Sequence, residues 1–198
     1  MKYTIFHDSR IGKRPYQQDR IAQWHTKDAL FMAVADGMGG HAHGDVAAQI
    51  AIDCLGGAFR NEAKPKIADP DKFLFTAISR AHAMIIHQTQ RQGLAQDQVN
   101  SPRTTIVACL IQAGYAYWSF VGDSRLYVIR EGRILTRTRD HTPVQMLIDA
   151  GRIREEAAGG LDGAMTNADM LSFPFLRSSP PRGSSRVGIK RKNGRYPL

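Results

Sequence analysis

The hydrophobic rhythm of the chain changes twice. Near the N-terminus, residues 3–6 and 20–25 read as short strands, and the apolar run Leu30–Ala35 has the length of a buried strand. From about Gly44 the period lengthens to that of a helix. Val46, Ile50 and Cys54 recur every fourth residue beside Ala47, Ala51 and Leu55, and Gly56-Gly57 offers a stop. A second helix opens on Asp69-Pro70, a cap followed by a residue suited to the first helical position. It carries Leu74, Ala77, Ile78, Ala81 and Ile85 on one face, with Gly93 as its stop. From Thr104 strand-like runs return: TTIVACLI, YAYWSFV, RLYVIR and RILTRT, separated by QAG, GDS and EG. Glu131-Gly132 is a tight-hairpin signal, so these runs predict an antiparallel meander rather than repeated strand–helix–strand units. A third helix is expected from Thr142-Pro143, turning Val144, Leu147 and Ile148 inward. Past Gly159 no period is sustained, and Gly, Ser, Pro and Arg dominate. That pattern divides the chain into a folded domain over residues 1–158 and a basic tail over 159–198, most of it read as disordered.

Composition adds limits. A chain of 198 residues and 22.0 kDa suits one domain, and 42% hydrophobic with 23% charged residues is an ordinary globular balance. The net charge of +9 would suggest a nucleic-acid or anionic-membrane partner if it were spread over the fold. It is not: from Met170 onward there is no Asp or Glu, while Arg177, Arg182, Arg186, Lys190, Arg191, Lys192 and Arg195 all fall there. A specific nucleic-acid partner is therefore not expected. No apolar run approaches the ~20 residues that span a bilayer, and the N-terminus has no apolar core of a signal peptide. Cys54 and Cys109 lie in apolar segments without zinc or disulfide spacing and read as buried thiols. These features predict a cytoplasmic location. They do not address oligomeric state.

Three short stretches carry candidate chemistry. In VADGMGGH, Asp36 closes an apolar strand and glycines surround it. Asp-Gly is a common turn pair, and a turn is one reading. The other is a carboxylate held rigidly at a strand end, with the Gly37 carbonyl open beside it: hard-oxygen donors suited to Mg²⁺ or Mn²⁺. In GKRPYQQDR, Arg14 is able to grip a phosphate with two hydrogen bonds, and Asp19 begins a predicted strand. A solvated basic loop is the alternative. In FVGDSRLYVI, Asp123 interrupts a hairpin, either as a plain turn or as a partner to Asp36 at a shared metal site. His41 and His43 flank the glycine loop, as acid–base groups or as surface residues; His82, His87 and His141 read as structural.

In their order, RPYQQD, VADGMGGHAHGDVAA, PRTTIVACLI, FVGDSRLYVIREGRI and TRDHTPVQMLIDAGRI resemble the successive motifs of the metal-dependent protein serine/threonine phosphatases, the type 2C family, in its bacterial form. The likeness runs from about Thr4 to Ala158. It implies an α+β fold, an antiparallel β-sandwich flanked by helices on both faces in four αββα layers. It also implies hydrolysis of phosphoserine and phosphothreonine in proteins by a water bridging two Mn²⁺ or Mg²⁺ ions, with room for a third, weaker ion. The partners would be phosphorylated proteins, the substrates of a serine/threonine kinase. By the same resemblance Asp36 bridges both metals, Gly37 offers its carbonyl to one, Arg14 holds the phosphate, Asp19 stands at the edge of the site and Asp123 serves the additional ion. Gln17 and Gln18 stand where many relatives have an acidic residue or Asn, and Met38 where many eukaryotic relatives have His. The family's later Ser-Asp-Gly and Asp-Asn metal motifs are not in this sequence, and Asp162-Gly163 is a poor stand-in. The expectation is a fold incomplete at its C-terminal end, from truncation or a frame shift. The alternative function is then a catalytically impaired fragment or a phosphoprotein-binding module.

Overall fold

Alternation along antiparallel strands gives one sheet two apolar faces, and these organise the molecule. The structure, a computed structural model, describes residues 2–38, 43–93, 101–154 and 185–188. In chain order the elements are β1 (Arg20–His25), β2 (Ala29–Ala35), β3 (Gly37–Met38), α1 (Gly44–Glu62), α2 (Pro70–Arg91), β4 (Arg103–Thr104), β5 (Ile106–Gln112), β6 (Tyr115–Val121), β7 (Tyr127–Arg130), β8 (Arg133–Arg137), α3 (Pro143–Asp149) and β9 (Ser185–Gly188). The main sheet runs β1-β2-β5-β6-β9, with every neighbouring pair antiparallel. Of two small ribbons, β3–β4 continues the β2–β5 register past Asp36 and Thr105, and β7–β8 is a separate hairpin. This is the expected α+β class with antiparallel sheets.

One face of the sheet carries Phe31, Ala33, Ala35, Ile106, Ala108 and Leu110, and α1 and α2 pack on it through Ala48, Leu55, Phe59, Phe73 and Leu74. Phe31 is the hub. It lies between Trp24 on β1 and Leu110 on β5 in the ladder, and its ring meets Trp24 at 5.4 Å, Phe59 at 5.5 Å and Phe73 at 5.2 Å between centroids. The opposite face carries Val107, Cys109, Trp118 and Phe120, against which Leu126 and Val128 pack from the start of the β7–β8 hairpin. Both cysteines are free, Cys109 buried and Cys54 half-buried. Gln112, buried on β5, accepts from the Ile67 amide at 2.9 Å and donates to its carbonyl at 2.8 Å, tying down the segment that leads into α2.

The local signals act as their chemistry dictates. Asp69 caps α2 by accepting from the Lys72 amide at 3.1 Å, and Thr142 caps α3 by accepting from the Gln145 amide at 3.2 Å. Glu131 and Gly132 both adopt positive φ, 53° and 72°, the turn whose twist matches a two-residue hairpin.

Four readings of the sequence are corrected or extended. Residues 3–6 form no strand: Phe6 is 89% exposed, and among the described residues β1 pairs only with β2. Gly56-Gly57 does not end α1, which continues to Glu62. A Cβ on Gly56 would stand 2.7 Å from the Trp24 indole, so this glycine is the gap into which the ring fits. On α3, Val144 and Ile148 are half-buried but Leu147 faces solvent. Within the tail, Ser185–Gly188 is a strand paired with β6, and the rest of residues 159–198 lies outside the described residues.

Candidate metal centre at one end of the sheet

Antiparallel pairing decides which chain ends meet. β2 ends where its neighbours β1 and β5 begin: Arg20 pairs with Ala35, and Val34 with Val107. β6 ends beside the start of β5, with Ile106 opposite Val121. Asp19 before β1, Asp36 after β2 and Asp123 after β6 are thereby delivered to the same end of the sheet. Sequence spacing alone did not establish that they meet.

Their mutual influence is visible at Asp36. The residue is open to solvent, yet its carboxyl group is crowded by protein. Partial burial comes first, followed by the charge and hydrogen bond of Asp19 and the charge of Asp123, and together they push Asp36 up to about 6. Arg14 opposes the shift, which places its guanidinium within electrostatic reach. Arg14 itself follows a turn in which its amide donates to the Ile11 carbonyl at 3.2 Å, with Gly12 at positive φ. All five candidate residues, Arg14, Asp19, Asp36, Gly37 and Asp123, thus lie at this end. His43 precedes α1 in a left-handed conformation without a side-chain cap, and His41 lies outside the described residues.

The backbone around Asp36 is fixed by neighbours that the sequence reading did not single out. Its carbonyl accepts from the Thr105 amide at 2.9 Å and from the Thr104 hydroxyl at 3.0 Å, and its amide donates to the Thr105 hydroxyl at 3.1 Å. Arg20 fastens the Asp19 loop. It donates to the carbonyls of Gln17 and Asp19 at 3.1 and 3.0 Å, reaches Gln49 on α1 at 3.1 Å and pairs with Asp45 at 3.7 Å. His141 stacks on Phe120 at 4.6 Å, and its amide donates to the Gly122 carbonyl at 3.0 Å, holding the turn before Asp123. Burial lowers the His141 pKa, in keeping with a neutral packing role, and burial does the same to His82 on α2. The signals for Thr104, Thr105 and Arg20 were present but weak, each a polar residue at a strand start.

Gly37 and Gly44 meet backbone to backbone. A Cβ on Gly37 would run into the Gly44 carbonyl and stand 2.8 Å from the Gln18 carbonyl oxygen, while one on Gly44 would stand 2.8 Å from the Gly37 carbonyl carbon. This glycine pair brings the N-terminus of α1 against the strand end that carries Asp36.

Asp36 and Asp19 bring two carboxylates together, with the Gly37 carbonyl next in the chain, and donors of this hard-oxygen type suit Mg²⁺ or Mn²⁺ keeping several waters. Among the described residues no group of three or more His, Cys, Asp or Glu side chains is close enough to hold a metal ion by itself.

The family model described as Protein phosphatase 2C matches residues 8–142. The serine/threonine protein phosphatase PstP of Mycobacterium tuberculosis is 35% identical over 130 residues, covering 66% of this chain and 24% of that protein. A putative protein phosphatase 2C-type of Streptococcus pyogenes is 29% identical over 160 residues, covering 80% of this chain and 62% of that one. The solved catalytic domain of PstP in complex with two manganese ions superposes with a TM-score of 0.65 at 28% identity, covering 89% of this chain and 68% of that one. The fold is therefore that of the bacterial serine/threonine phosphatases. The chain belongs to the protein phosphatase 2C family. It spans 24% and 62% of the length of the two curated relatives described.

Proposed function

We propose that this chain hydrolyses phosphoserine and phosphothreonine in proteins with the help of Mn²⁺ or Mg²⁺. The observation that carries the reading is the convergence of Asp19, Asp36 and Asp123 on one sheet end, with Arg14 in reach of the same carboxylate. Held by these residues, Mn²⁺ or Mg²⁺ would supply Lewis acidity and a water of lowered pKa. The chain supplies placement. Asp36 offers two carboxylate oxygens at a backbone position locked by Thr104 and Thr105, so it suits a bridging role. Gly37 contributes a carbonyl unhindered by a side chain of its own. Asp19 and Asp123 add negative charge around Asp36, and Arg14 orients a phosphoryl group through paired N–H donors. The partners are phosphorylated proteins. We place the catalytic part in residues 1–158, around the family match at 8–142, and the basic tail in 159–198. Among the described residues no helix is long and apolar enough to cross a membrane. We further propose a cytoplasmic location, supported by the two free cysteines.

Phosphate release from a phosphothreonine peptide tests the reading. Release is expected with Mn²⁺ and is abolished by excess chelator. No release above the chelated control sinks it. A second reading, a phosphoprotein-binding module, draws on the spacing of these carboxylates: among the described residues no three His, Cys, Asp or Glu side chains stand close enough to hold a metal ion together. Peptide binding without turnover would favour it.

The raised proton affinity of Asp36 sets a pH dependence. Cation and proton compete for the same carboxylate, so Mn²⁺ affinity is expected to be level above about pH 7 and to fall by about tenfold per unit below about 6. Titration calorimetry between pH 5 and 8 measures this, and a flat profile from 5 to 7 contradicts it. Without metal the sign reverses for stability. The folded chain holds this proton more tightly than the unfolded chain, so its contribution is present below the ordinary carboxylate pKa and is lost as pH rises through about 6.

A further inference from the structure

Thr105 is fully buried, yet its hydroxyl lies between the two strand ends that carry the aspartates. It accepts from the Asp36 amide at 3.1 Å and shares a second hydrogen bond of 2.6 Å with the hydroxyl of Ser124, the residue after Asp123. The Thr105 amide donates back to the Asp36 carbonyl at 2.9 Å. On the other side, Gly122 adopts a φ of 106°, and a Cβ there would stand 2.7 Å from the Thr105 methyl carbon. One side chain therefore touches the backbone of Asp36 and both neighbours of Asp123, and it is on neither of their strands.

We propose that Thr105 is a positioning residue for the cation site, fixing how far the Asp36 and Asp123 carboxylates stand from each other. A threonine hydroxyl has one proton and two lone pairs, so it serves the Asp36 amide and Ser124 together. Its methyl, wedged against Gly122, prevents the turn before Asp123 from sliding toward β5. How tightly a cation would be held between these carboxylates then depends on how well this clamp holds, although Thr105 is not itself a proposed ligand. Residues that orient ligands in this way typically change metal affinity by ~10–100-fold when altered. The inference rests on the cation-site part of the phosphatase reading.

The test uses the full chain and Mn²⁺ alone, without substrate. Thr105→Val keeps shape and removes the hydroxyl, Thr105→Ser keeps the hydroxyl, and Ser124→Ala removes the far partner. Calorimetric titration is expected to show Mn²⁺ affinity about tenfold weaker in Thr105→Val, restored to within about threefold in Thr105→Ser. Ser124→Ala is expected to weaken Mn²⁺ binding, and the double variant Thr105→Val/Ser124→Ala to bind no worse than Thr105→Val. Parent-like affinity in Thr105→Val overturns the proposal, as does a Thr105→Ser variant as weak as Thr105→Val. If Thr105→Val fails to fold, Ser124→Ala decides, and parent-like affinity there overturns it. A parent that binds no Mn²⁺ overturns it as well. A parent that binds Mn²⁺ and shows the ordered losses, yet releases no phosphate, leaves the clamp standing and removes the phosphatase reading.

Discussion

Asp36→Asn is expected to lower Mn²⁺-dependent phosphate release by at least about a hundredfold, or ~2.7 kcal/mol of transition-state stabilisation. Asn matches the shape of Asp, and the hydrogen bonds that hold this position are made by the backbone of Asp36 to Thr104 and Thr105, so they survive the change. The loss is of charge at the residue proposed to bridge two cations. A misfolding explanation predicts lower thermal stability. The electrostatics predict the opposite for the metal-free chain, because a neutral side chain escapes both the burial penalty, which is the larger cause, and the repulsion of Asp19 and Asp123 that together push Asp36 up to about 6. Melting without metal should therefore be unchanged or slightly higher in the variant. Added Mn²⁺ should raise the melting temperature of the parent and not of the variant. A variant keeping more than a tenth of parental turnover at the same Mn²⁺ dependence would remove Asp36 from the centre of the mechanism.

The largest effect on stability is expected from Phe31→Ala, about 3–5 kcal/mol. Phe31 has no exposed surface and touches Trp24, Phe59 and Phe73, so one ring holds β1, α1 and α2 to the sheet. The cavity is walled by a strand ladder on one side and two long helices on the other, and neither collapses easily. For a domain of this size the loss corresponds to a fall in melting temperature on the order of 10 °C. Urea unfolding monitored by Trp24 and Trp118 fluorescence measures it. A loss below about 1 kcal/mol would show that the aromatic hub is not the centre of the core.

Much of the architecture was legible because it is written in local chemistry. The apolar run ending at Ala35, the Asp69-Pro70 start of α2, the Thr142 cap and the Glu131-Gly132 turn each act within a few residues. Failures came where a partner distant in sequence decides. Gly56-Gly57 reads as a stop in one dimension, whereas the Trp24 ring gives Gly56 its reason in three. Residues 3–6 have a strand's composition but pair with no strand. Leu147 fits the apolar pattern of α3 and still points outward. The site divided in the same way. Each aspartate was conspicuous beside its glycine or at its strand start, but their meeting depends on antiparallel register. The threonines that lock Asp36 looked like the ordinary beginning of a strand.

The contact between Gly37 and Gly44 separates two things that a loop usually couples. The chain leaves Gly37 and returns to the same point at Gly44, so the cost of closing that loop is set by the number of residues between them. For a flexible loop this cost rises by only about 0.6 kcal/mol for each doubling of length. Insertions between Gly37 and Gly44 are therefore expected to cost little and to leave the Asp36 backbone in place. The glycine pair works as a hinge pin for variation: descendants of this sequence are free to explore new loops while Asp36 keeps its place.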